Sequence, residues 1–121
     1  MFPDIQVGAA WIEALAAQDF EKLQSLLAPD VRFRALIPPG QREDATAAEA
    51  AARVGGWFGD ADPLELVDSK VGRFAGRLHM SYRFDAFEEG RWHAVEQQAY
   101  FDVQDGRITA MDLLCSGFRP I

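Results

Sequence analysis

The sequence has no asparagine, a single cysteine (Cys115) and two histidines (His79 and His93). Without asparagine there is no N-glycosylation sequon and no anion hole built on an Asn side chain. One cysteine excludes an internal disulfide, and with only two histidines beside it the all-His and Cys-rich zinc sites are excluded as well, so no metal centre is expected. No apolar run approaches the about 20 residues that a membrane helix needs, and Glu13 interrupts the long apolar stretch near the N-terminus. The opening Met1-Phe2-Pro3-Asp4 lacks the basic and apolar regions of a signal peptide, which makes a cytoplasmic protein the expectation. Positive charge is short too: 12 Lys and Arg stand against 19 Asp and Glu, a net charge of −7. Such a chain repels nucleic acid and anionic lipid, so neither is an expected partner.

What is present is enough for one core. With 121 residues, 49% hydrophobic and 12% aromatic, the chain is expected to fold as a single domain over residues 1–121, with no room for a separate cofactor domain and no cofactor implied. From Asp4 to about Ala17, Ile5, Ile12 and Leu15 recur at helical spacing, with Trp11 on a second stripe beside Val7 and Ala14. Asp19 is placed to cap a second short helix carrying Phe20, Leu23, Leu26 and Leu27 and closed by Pro29. The period then becomes extended over Val31 to Ile37, a strand that Pro38-Pro39-Gly40 must end. Thr46 and Glu49 form a capping-box pattern opening an Ala-rich helix, whose Trp57 and Phe58 either plug the core or tip a mobile lid beyond Gly55-Gly56. Four strand candidates follow: Leu64 to Phe74, Arg77 to Phe87, Trp92 to Val103 and Ile108 to Phe118. Helices first and a strand meander afterwards is an α+β order.

Turn chemistry pairs the last three strands. Glu89-Gly90 in a two-residue turn sets Leu78 against Phe101, Met80 against Ala99, Tyr82 against Gln97 and Phe84 against Val95, and on the other face brings Arg83 to Glu96 and Arg77 to Asp102. Asp105-Gly106 sets Val103 against Ile108, Phe101 against Ala110 and Ala99 against Asp112. One face then holds Met80, Tyr82, Gln97, Phe101 and Asp112 over the helices, and the other exposes Met111, Leu113 and Cys115. That apolar stripe predicts a homodimer through the outer face of the sheet. His93 falls on the concave side opposite Ala86 and His79 on the outer face, too far apart for a shared metal at about 4.8 Å between strands.

The strand after Ala28-Pro29-Asp30-Val31, the turn Asp105-Gly106-Arg107-Ile108 and the closing Leu113 to Pro120, taken with the order of elements, resemble the nuclear transport factor 2-like superfamily, in particular its SnoaL-like polyketide cyclases and ketosteroid isomerase-like members. The resemblance covers nearly the whole chain and implies a cone-shaped, cystatin-like roll: a curved antiparallel sheet wrapped around N-terminal helices, with an apolar cavity and frequent dimerisation through the sheet. Its catalytic residues do not carry over. The isomerases place a proton-abstracting Asp where this chain reads Leu36-Ile37-Pro38-Pro39, the cyclases an acidic residue where Ala99 stands, and the epoxide hydrolases an Asn that this chain lacks.

In the unbroken register Asp112 stands across from Ala99, where desolvation would raise its pKa into a range useful for acid–base work. The expectation is a small, largely apolar ligand, held by hydrogen bonds from Tyr82 and Gln97 between walls of Trp11, Trp57, Phe101 and Met80, with Asp112 as the proton carrier of a cofactor-free isomerisation, cyclisation or dehydration. Two arrangements would remove Asp112 from that role: a bulge in the last strand that turns Met111 and Leu113 inward, or an ion pair with an arginine such as Arg34. The second functional reading is a non-catalytic, dimeric binding or scaffold domain.

Overall fold

A computed structural model describes residues 4–121; Met1-Phe2-Pro3, on which the expectation of a leaderless N-terminus partly rests, lie outside the described residues. Helix α1 (Asp4–Ala16) buries Val7, Gly8, Trp11, Ile12, Ala14 and Leu15, so its apolar stripe centres on Trp11, whereas Ile5 is 38% exposed. Gln18 turns the chain at φ 54° and donates its amide to the Phe58 and Ala61 carbonyls, both at 2.8 Å, which fastens this corner to the end of a later helix. Asp19 caps α2 (Phe20–Ser25) by accepting the Lys22 N–H at 3.1 Å. Strand β1 (Leu27–Ile37) begins before Pro29, not after it, and accommodates the proline in an irregular stretch between Leu27 and Arg32.

A strand that the sequence did not announce follows, β2 (Gly40–Asp44), folded back antiparallel on β1. It reads Gly-Gln-Arg-Glu-Asp and carries no apolar alternation to signal it. Helix α3 (Ala47–Phe58) starts as its capping pattern predicts, with the Thr46 hydroxyl accepting the Glu49 N–H at 3.1 Å and the Glu49 carboxylate accepting the Ala45 N–H at 3.3 Å. The remainder is β3 (Leu64–Phe74), β4 (Arg77–Glu88), β5 (Arg91–Gln104), β6 (Arg107–Cys115) and a short β7 (Arg119–Pro120). The seven strands form one sheet in the order β2-β1-β6-β5-β4-β3, with β7 on β5. Neighbours run antiparallel except β1 beside β6. The sheet is curved and open, and the helices lie in its concavity. No helix among the described residues is long and apolar enough to cross a membrane.

The β4–β5 hairpin has the predicted register throughout, from Glu88 opposite Arg91 to Leu78 opposite Phe101. The β5–β6 hairpin has it only at its mouth. Gln104 faces Arg107 and Val103 faces Ile108, but Asp102 then faces Ala110, so Thr109 is an extra residue in β6. Its hydroxyl donates to the Asp102 carbonyl at 3.3 Å, which fastens the bulge. Beyond it the parity of β6 is reversed: Met111, Leu113 and Cys115 point into the core and are buried, while Ala110, Asp112 and Leu114 point out. The apolar stripe expected on the outer face is therefore core. Leu36 and Leu114 are the exposed leucines of that face, at 51% and 45%.

Gly8 sets how closely α1 lies on the sheet. A Cβ there would come within 2.9 Å of both the Phe101 ring and a Val71 methyl. Gly8→Ala gains about 1 kcal/mol of helix propensity but overpacks a filled site at a cost of about 1–3 kcal/mol. The expected result is a net loss of about 1 kcal/mol, read as a lower urea midpoint. A raised midpoint would show that Phe101 and Val71 yield freely.

Candidate functional site on the concave face

Tyr82 of β4 and Gln97 of β5 are cross-strand partners, and Trp11 of α1 stands over them. The Trp11 Nε1–H donates to the Tyr82 oxygen at 3.3 Å, and the Tyr82 hydroxyl donates to Gln97 Oε1 at 2.6 Å. Trp11, Met80 and Phe101 expose no surface, and Tyr82 and Gln97 are only 4% and 3% exposed. Burial pushes the Tyr82 phenol well above its usual range, and the Trp11 hydrogen bond opposes this only in part. Tyr82 is thus a neutral donor at any physiological pH.

These bonds run in one direction. With Oε1 occupied by Tyr82, the free end of Gln97 is Nε2, which is buried and has no partner among the described residues. An amide N–H left unpaired in an apolar interior costs about 1–3 kcal/mol, so a group of this kind calls for an acceptor. Cys115 lies directly across from Gln97 on β6, and its sulfur accepts the Gly117 N–H at 3.4 Å. The sequence placed Cys115 outside; the Thr109 bulge brings it in.

Five of the seven site residues expected from the sequence therefore meet on the concave face: Trp11, Met80, Tyr82, Gln97 and Phe101. Trp57 does not join them. It is half-buried on α3, with its ring 6.4 Å from that of Phe33, whereas the neighbouring Phe58 is fully buried between Phe84 and Phe118 at 5.7 and 5.4 Å. Of plug and lid, the plug is the arrangement found at Phe58.

Asp112 is on the opposite face, and the expectation that its carboxylate enters the cone is overturned by the bulge. There it accepts from Arg34 at 2.8 Å and from Arg77 at 2.9 Å, with Arg32 at 4.0 Å. Partial burial by itself raises its pKa, but the hydrogen bonds and charges of Arg77 and Arg34 outweigh this and hold the carboxyl below the usual aspartate range. An ionised, clamped carboxylate on the wrong face is not a proton carrier for the cone. Arg77, expected to meet Asp102 alone, spans both Asp102 at 3.2 Å and Asp112.

Among the described residues the middle of the concave face carries no carboxylate; Asp44, toward the β2 edge, is held bidentately by Arg53 of α3 at 2.6 and 3.1 Å. The two histidines lie on opposite faces, as expected. His79 contacts Gln98 at 3.1 Å and the Tyr100 ring outside, and His93 is buried on the concave side with Nδ1 unpartnered. The arrangement on the concave face thus offers one free hydrogen-bond donor, the Gln97 amide, among apolar side chains, and no carboxylate beside it among the described residues.

The family model of the SnoaL-like domain matches residues 9–111. Among solved structures, the chain is similar to a candidate polyketide cyclase of Xanthomonas campestris pv. campestris, at 21% identity over 92% of this chain and 88% of that one with a TM-score of 0.72. It is likewise similar to an LEH-like epoxide hydrolase of M. tuberculosis, at 18% identity over 93% and 82% of the two chains with a TM-score of 0.70. A Catenulispora acidiphila protein with a ketosteroid isomerase-like fold, solved with trimethylamine, matches at 14% identity over 91% and 85% with a TM-score of 0.73. At such identities the likeness is one of fold. The comparison with curated proteins gave no match.

Proposed function

The chain belongs to the SnoaL-like domain family, and within it we propose a non-catalytic binding domain, whose buried Gln97 amide donates to an acceptor oxygen of a small, largely apolar molecule. The unpartnered Nε2 of Gln97 carries this reading. It ends a chain of bonds whose other members are satisfied, so what it lacks is an acceptor: a carbonyl, ether or hydroxyl oxygen. The concave face that carries it is otherwise apolar, with Trp11, Met80 and Phe101 fully buried on it, which favours a compact ligand without charge. Acid–base catalysis has no support beside Gln97, because Tyr82 is held neutral, Asp112 lies outside and the imidazole of this face, His93, stands four residues away along β5.

Native mass spectrometry of freshly purified protein tests the proposal. The expected spectrum shows a bound organic molecule that is lost in Gln97→Leu while the far-UV circular dichroism is unchanged. Retention of that molecule by Gln97→Leu, or a wild-type protein that carries nothing beyond water, would sink the proposal.

A further inference from the structure

We propose that the free edge of β3 docks a second copy of this chain, joined antiparallel about Ser69. β3 ends the sheet: β4 pairs with one side of it, and no strand among the described residues pairs with the other. Leu66 and Val67 on this edge are 42% and 53% exposed. The Ser69 N–H is turned to the carboxylate of its own neighbour, Asp68, at 2.9 Å. It is a ladder donor held by a local substitute.

Partners on β4 fix which face each β3 side chain occupies. Asp68 and Lys70 stand opposite Arg83 and Ser81, on the outer face, while Leu66, Ser69 and Val71 stand opposite Phe84, Tyr82 and Met80, on the concave face. A bulge at Val67 is what brings Leu66 onto the same face as Val71. If a second copy is laid antiparallel so that Ser69 faces its own counterpart, Asp68 faces Lys70 of the other copy and Lys70 faces its Asp68. One step further, with Val67 bulged out of the ladder, Leu66 faces Val71 of the other copy. A single twofold axis thus yields two opposite-charge pairs outside and two apolar pairs inside.

On pairing, the Ser69 N–H exchanges the Asp68 carboxylate for the Ser69 carbonyl of the second copy, and the released carboxylate meets Lys70 across the new ladder. The same two charges guard the edge against an unrelated apolar strand, which would bury them unmatched. Behind the edge runs a groove of about 480 Å³ lined by Leu66, Ser69 and Val71 with Ala9, Ile12 and Ala16 of α1. The Leu66 and Val71 side chains of the second copy fall beside it.

Sedimentation velocity of the wild type, Asp68→Lys, Lys70→Asp and the double exchange tests the interface. The wild type is expected to associate reversibly, each single variant to weaken association about tenfold by setting like charges opposite one another, and the double exchange to return it to within about threefold. Hydrogen exchange at the Ser69 amide is expected to slow as protein concentration rises. Both positions are exposed, so the fold should tolerate all three variants; a circular dichroism melt verifies that. A monomeric wild type, or four proteins that associate equally, would overturn the proposal. So would association abolished by Leu114→Arg but untouched by the charge variants, which would place the second copy on the outer face. Capture of a strand from another protein that survives the double exchange would also overturn it.

Discussion

Truncation of Trp11 to alanine is expected to lower stability by about 4 kcal/mol, a large part of the about 5–15 kcal/mol that holds a domain of this kind together. The indole is fully buried where α1 lies over strands β3 and β4, against Tyr82, so its removal empties a space that neither the helix nor the sheet beneath it can close. It also withdraws the N–H that Tyr82 accepts, leaving a buried oxygen with one bond fewer. Trp11→Phe separates the two contributions. It keeps most of the ring, loses the donor, and is expected to cost about 1–2 kcal/mol. Urea unfolding followed by circular dichroism measures both, and a Trp11→Ala midpoint indistinguishable from the wild type would show that the chain does not depend on this contact.

Asp112→Ala is expected to cost about 2 kcal/mol at neutral pH, a figure already reduced for the 26% exposure of the side chain. The carboxylate ties Arg34 of β1 to Arg77 of β4 across the two strands between them. Without it the guanidinium groups of Arg32, Arg34 and Arg77 lose the carboxylate they share. The sign of the pH dependence follows from the lowered pKa. The contribution is present in full above the ordinary aspartate value of about 4 and is lost as pH falls through the still lower value of the folded state. The wild type and Asp112→Ala should therefore converge in stability on acidification below about pH 4. Curves that stay parallel down to the acid limit would remove the ion cluster as the cause.

The same residue marks where the sequence stopped being readable. Two of the three two-residue hairpin turns were legible, because Glu89-Gly90 and Asp105-Gly106 adopt the positive φ that such connections require, with φ of 52° and 78° in the first and 53° and 77° in the second; the third, Ala75-Gly76 between β3 and β4, has the same conformation. From the first the whole β4–β5 register followed, and with it the meeting of Tyr82 and Gln97. The β5–β6 register was right for two pairs and then failed at Thr109, since a turn fixes pairing only as far as the ladder stays regular. One signal was available: Ile108, Met111, Leu113 and Cys115 are all apolar, and they can share a face only if the alternation slips once between Ile108 and Met111. β2 carried no such signal, being polar along its length and positioned by pairing with β1 alone. Trp11 could be placed on a helix but not over Tyr82, because nothing local specifies how a helix crosses a sheet.

The Thr109 bulge works like a frameshift written in side chains. Everything downstream of it in β6 is displayed on the other face, while β4, the β4–β5 hairpin and both turns are untouched. Whether Thr109 is bulged out or paired in the ladder decides whether this strand shows the cone a thioether, a leucine and a thiol or a carboxylate. Within such a family, a search for catalytic residues by aligned position can be off by a whole face of the sheet even where the alignment is off by a single residue.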